Sequence, residues 1–106
     1  MAYVGVGYYR KTTAPDALEA TWTTALLFDK GLGTGMVKGA FSNGYCGNHV
    51  VTYFLPDGSN AGTFDLLIER SGAAYRLSWR TEGRVVFTGL GVETTDGLAI
   101  GFTKVE

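Results

Sequence analysis

The chain has 106 residues, which fits one domain over residues 1–106 and leaves no room for a second. Hydrophobic residues make up 45% and charged residues only 18%, so a core can be built, and a disordered chain or a long charged helix is excluded. Net charge is −1 with no Lys/Arg run, which argues against a protein that neutralises several phosphates, so no nucleic-acid partner is expected.

In chain order, the first strand is expected over residues 3–10, where glycines alternate with valines and tyrosines. Asp16-Ala17-Leu18-Glu19-Ala20 has helix-forming composition, but the strand formers Thr21-Trp22-Thr23-Thr24 come directly after it. We read a turn at Pro15-Asp16 and then a strand over 18–27. Strands are expected next at 33–41 and 45–55, the latter ending at the turn signal Pro56-Asp57-Gly58-Ser59. In 62–70, Phe64, Leu66 and Ile68 share a face opposite Asp65 and Glu69. In 74–80, Tyr75, Leu77 and Trp79 oppose Arg76, Ser78 and Arg80, the clearest amphipathic strand of the chain. Strands at 84–93 and 97–105 complete the set, separated by Thr95-Asp96-Gly97.

About eight short strands with a turn roughly every dozen residues predict an all-β fold. Short successive connections favour a small antiparallel up-and-down barrel. The pairs Gly5/Gly7, Gly33/Gly35 and Gly89/Gly91 each lie on one strand face, where missing side chains let a strand coil sharply. A phosphate-binding loop would need a helix directly after its glycines, and no helical pattern succeeds any of them. Leu18–Thr24 echoes Tyr75–Thr81, each with a central Trp and a Gly-x-Gly about ten residues later. Two similar hairpins under the same packing rules explain the echo more simply than a duplication.

Residues Gly62-Thr63-Phe64-Asp65-Leu66, Tyr75-Arg76-Leu77-Ser78-Trp79, Phe87-Thr88-Gly89-Leu90-Gly91 and Gly97-Leu98-Ala99-Ile100-Gly101-Phe102 carry a resemblance. The pattern is similar to the G-x-Y-x-L-x-W … G-x-G … L-A-V-G-Y of small, uncharacterised bacterial proteins with a calycin-like barrel of lipocalin or avidin type. It covers residues 62–102, less than half the chain. It implies an antiparallel barrel with an interior cavity and carries over no catalytic residue. The chain is shorter than a typical lipocalin, so the resemblance leaves open a tight, filled barrel or a core completed by dimerisation.

An eight-stranded barrel has an interior just wide enough to be filled by side chains or to hold one small ligand. If hollow, Trp22, Tyr53, Phe64, Trp79 and Phe87 would line it, with Tyr8 and Tyr9 helping to close one end. The same residues, with Tyr75 and Leu77, read equally as plain core. Asp65, Glu69, Arg70, Arg76 and Arg80 form the densest charged set. Arg76 and Arg80 suit either an Arg clamp for an anionic ligand group or a solvent-facing cross-strand ladder.

Cys46 and His49 are the only Cys and the only His. On an extended strand they stand roughly 10 Å apart and face opposite sides, so a catalytic dyad is not expected. The simpler reading is a buried Cys and a surface or hydrogen-bonded His. One Cys and one His make half a metal site, and no intrachain disulfide can form. No Gly-x-Ser-x-Gly elbow occurs. No catalytic residue, metal or cofactor is therefore expected. Met1–Lys11 lacks the pattern of a signal peptide, and no apolar run approaches the ~18 residues of a membrane span. With the lone cysteine, these features point to the cytoplasm and away from a membrane partner.

Three functions remain in view. The first is a binding module for a small hydrophobic or aromatic ligand. The second is a structural or interaction protein, its barrel filled, acting as a homodimer or other homo-oligomer. The third is a lyase or isomerase with its site at the barrel mouth, the enzyme reading ranking below the other two.

Overall fold

The computed structural model describes residues 3–105. Eight strands run in chain order: β1 (Gly5–Lys11), β2 (Ala17–Thr24), β3 (Gly33–Lys38), β4 (Gly47–Phe54), β5 (Asn60–Ser71), β6 (Ala74–Thr81), β7 (Arg84–Glu93) and β8 (Gly97–Lys104). Each pairs antiparallel with its neighbours in sequence, and β1 pairs with β8, so the sheet closes into an up-and-down barrel. Closure removes the two free edges that an open sheet of this order would expose. Among the described residues no helix is long and apolar enough to cross a membrane.

The alternation expected in β5 and β6 holds across the whole interior. Leu18 and Ala20 of β2, Val37 of β3, Val51 of β4, Leu66 and Ile68 of β5, Leu77 of β6, and Leu98 and Ile100 of β8 all point inward and are buried. Burying each large aliphatic side chain among them contributes about 1.5–3 kcal/mol. Their register is consistent: Val37 lies opposite Val51, Ile68 opposite Leu77, and Ile100 opposite Gly7.

Among the departures from the expected strand limits, two shape the barrel ends. The second strand stops at Thr24, short of residue 27, because the Thr24 carbonyl accepts from the backbone N–H groups of Leu27 and Phe28, each at 3.0 Å. The third and fourth strands are shorter than 33–41 and 45–55, so residues 39–46 form a loop. That loop is tied to the turn before β2, where Gly39 N–H donates to the Asp16 carbonyl at 3.0 Å. Two register shifts, at Tyr53/Phe54 and at Trp79/Arg80, leave Ala61 of β5 and Val86 of β7 as extra, unpaired residues at the opposite end of the barrel. Bulges of this kind are common at barrel rims and re-aim the side chains beside them.

Candidate binding cavity at one end of the barrel

The inward positions at the bulged end carry rings. Trp22 comes from β2, Tyr53 from β4, Phe64 from β5, Trp79 from β6, Phe87 from β7 and Phe102 from β8. With Tyr3 and Ala61 they line a cavity of about 80 Å³. Seven of the chain's fourteen aromatic residues thus meet at one end. Along the series Trp22–Tyr53–Phe64–Phe87–Phe102–Trp79, ring centroids lie 5.6–6.0 Å apart and successive planes turn by 52–88°. Tilted and edge-to-face pairs at such distances contribute roughly 0.5–1.5 kcal/mol each beyond area burial. All but Trp79 remain partly open to solvent.

The polar atoms of this wall are committed to the protein. The Trp79 Nε1–H donates to the Tyr53 hydroxyl at 2.8 Å, and that hydroxyl is also hydrogen-bonded to the Tyr9 hydroxyl. Trp22 Nε1–H donates to the Thr34 carbonyl at 2.8 Å. Burial pushes the Tyr53 phenol up to about 12, against the opposing effect of its bonds to Tyr9 and Trp79. Burial pushes Tyr9 well above the usual phenol value, and the neighbouring Tyr53 adds to the rise. Both phenols are therefore neutral near pH 7, and the cavity presents mainly ring surfaces and one alanine methyl.

Glycine placement makes room for the larger indole. Gly33 lies directly opposite Trp22, and a Cβ at residue 33 would overlap the Trp22 ring. Trp79 of the echoing hairpin likewise packs toward Gly89 of the next strand. The repeated Trp and Gly-x-Gly spacing thus has a packing cause.

Trp22, Tyr53, Phe64, Trp79 and Phe87, singled out from the sequence, all stand on the cavity wall. Arg76 and Arg80 do not. They alternate with Tyr75, Leu77 and Trp79 and so lie on the outer face, Arg76 opposite Glu69 and Arg80 opposite Asp65. The close ion pair among the described residues is elsewhere, between Arg10 and Glu19. Tyr8 and Tyr9 also separate by alternation. Tyr9 points in to the Tyr53 hydroxyl, whereas Tyr8 points out to Thr94, at 2.6 Å, and Asp96. Three wall residues are additions to the expected set: Phe102, though the period of Leu98 and Ile100 marked its face, Ala61, and Tyr3, which lay in the strand expected over 3–10 but precedes β1 in the structure.

The other end is closed by the loop 39–46. Carrying the alternation of β4 back into this loop places Tyr45 inward, buried edge-on to Tyr75 at 5.9 Å, and Cys46 outward. The expectation of a buried Cys46 is corrected accordingly: the thiol is exposed, and the buried member of the pair is His49. His49 Nε2–H donates to the Tyr45 carbonyl at 2.8 Å, and its ring packs on Phe41 at 4.5 Å. A polar rim surrounds the plug. The Tyr75 hydroxyl donates to Glu93 at 3.0 Å, Arg70 lies 5.5 Å over the Tyr75 ring, and Lys11 lies 5.7 Å over Tyr45. Among the described residues no group of three or more His, Cys, Asp or Glu side chains is placed to hold a metal ion.

No protein-family model, curated protein or solved structure matches this chain.

Proposed function

We propose that the protein is a binding module holding a small apolar or aromatic ligand in the cavity at the bulged end of the barrel. The observation that carries this reading is convergence. Six strands and the segment before β1 each supply a ring or methyl to one end, yet leave about 80 Å³ unfilled. A barrel of eight strands that needed only a core would fill that space with side chains, as the rest of this interior does. An engineered apolar cavity of about 150 Å³ accepts benzene, so the space here suits a compact group of a few heavy atoms. The arrangement accords with a calycin-like barrel, the kinship suggested by residues 62–102. An exposed, unpaired Cys46 accords with a reducing, cytoplasmic location. Titration of the pure protein with small hydrophobic and aromatic compounds, read by tryptophan fluorescence, tests the reading. Saturable quenching or a spectral shift is expected, because both tryptophans stand on the wall. Silence across a broad panel rejects it.

A second reading, self-association, has an observation of its own. On the outer face of β7, β8 and β1, Leu90, Val92, Val4 and Val6 are each more than half exposed. They flank the small outer residues Ala99 and Gly101 of β8, Gly101 lying opposite both Val6 and Leu90. Such a shallow apolar trough suits a self-complementary contact between two copies, which needs about 800 Å² from each partner to be stable. Light scattering tests it: a dimer that Leu90→Arg dissociates supports the contact, and a monomer at every concentration removes it. The cavity wall has no carboxylate or arginine, so no observation favours the lyase or isomerase reading.

A further inference from the structure

The cavity is richer in rings than the rest of the barrel interior. Elsewhere Leu18, Val37, Val51, Leu66, Leu77 and Leu98 are fully or almost fully buried beside Tyr9, Tyr45 and Tyr75. At the bulged end the wall is aromatic except for Ala61. A pocket for a merely apolar guest has no need of this segregation, since aliphatic side chains give the same hydrophobic contact. An aromatic ring adds one property that an aliphatic chain lacks: its face carries the negative part of a quadrupole and attracts a cation.

We infer that the ligand is a quaternary ammonium group, held in the barrel end as in a cage of rings. This rests on the binding-module reading above and supplies the chemical class of the guest. Three observations converge on it. First, the ring planes turn by 52–88° from each to the next along the wall, so no adjacent pair stacks flat and seals both faces. Second, both indole N–H groups and the Tyr53 hydroxyl are bonded within the protein, so the wall directs none of these groups to a polar guest. A primary ammonium carries three N–H donors that would go unmatched there, at a desolvation cost. A tetraalkylammonium has no N–H to satisfy and offers methyl groups that carry the charge to the ring faces. Third, no Lys or Arg lines the cavity, so nothing repels a cation.

The volume agrees. A trimethylammonium head is compact, and its tail, whether short alcohol or side chain, would lead out past the half-buried rings of the mouth. The same head group occurs on free choline-like molecules and on trimethylated lysine. The chemistry recognised is shared, and the two sources differ only in the chain attached to the nitrogen.

The test compares choline with 3,3-dimethylbutan-1-ol, its neutral isostere with carbon in place of nitrogen, by tryptophan fluorescence and by proton NMR of the protein's aromatic resonances. Choline is expected to bind at least ~10-fold more tightly than the isostere, and ethanolamine, the unmethylated amine, more weakly than either. Equal affinity for choline and the isostere, or tighter binding of the isostere, overturns the cage and leaves the hollow binding barrel standing. Silence from choline, the isostere and the wider hydrophobic panel overturns both. Phe87→Leu, which keeps an apolar side chain but removes a ring face, is expected to weaken choline several-fold and leave the isostere nearly unchanged. Equal loss for both counts against the cage. The wild-type comparison stands even where the variant folds poorly. A final arm sets choline against a capped trimethyllysine amide, the tighter of the two naming the source of the cation.

Discussion

The two ends of this barrel are built from the same strands and by the same alternation, yet they are packed in opposite ways. At one end the loop 39–46 drops Phe41 and Tyr45 onto the interior, and Leu77, Leu98 and Ile68 pack beneath with no accessible surface to speak of. At the other, two bulges and a ring of half-buried aromatics leave space. The closed end therefore holds most of the stabilising aliphatic burial, and the aromatic end holds the cavity. On the proposed reading, stability and binding separate along the barrel axis, and substitutions at the two ends should report on different properties.

The largest expected effect lies in the closed half. Leu77→Ala removes a fully buried side chain and is expected to cost about 2–5 kcal/mol in denaturant unfolding. Phe87→Ala at the half-open end should cost clearly less than Leu77→Ala in the same experiment while impairing ligand response. Equal losses at both ends would erase the distinction. The next effect is in pH. Tyr9 and Tyr53 are neutral in the fold, and their raised values mean that the unfolded chain ionises first as pH rises past 10. The stability they contribute is complete below pH 10 and is lost as pH climbs toward about 12. For Tyr53 alone the loss amounts to roughly 3 kcal/mol. Alkaline unfolding curves alongside the tyrosinate absorbance measure it, and a stability independent of pH over that span contradicts the buried phenol pair.

Gly33→Ala should cost about 1–3 kcal/mol by overpacking, because the new Cβ must displace the Trp22 indole. The indole has only the cavity to move into, so ligand-induced fluorescence change should fall with it. The smallest effect should come from Tyr45→Phe. The Tyr45 hydroxyl is buried without a hydrogen-bond partner, so its removal is expected to be neutral or to stabilise by up to ~1 kcal/mol. A clear destabilisation in thermal unfolding would mean that the closed end depends on that hydroxyl.

Much of this was legible in the residues. Tyr75-Arg76-Leu77-Ser78-Trp79-Arg80 states its own inward and outward faces, and Asp65 and Glu69 do stand across from Arg80 and Arg76. The same alternation sends Arg76 and Arg80 to the outer surface, away from the cavity. The loop 39–46 was not legible. Gly39 to Tyr45 mixes glycine, aromatic and polar residues without a period, and its fold depends on bonds to Asp16 and Pro15, distant in sequence.

The residues alone specify what is local: eight strands, their order, and which side chains of each point inward, because a period of two fixes a side chain's face once the backbone is extended. The position of an inward side chain along the barrel axis was decided only by the tertiary structure. That height comes from the register of every strand pair and from the two bulges, which each hairpin sets locally and which add up around the ring until β1 meets β8. Hence Trp22, Tyr53, Phe64, Trp79 and Phe87 could be named as inward from their strands. Their meeting with Tyr3 and Phe102 at one end, around an unfilled space, is a property of the closed barrel alone.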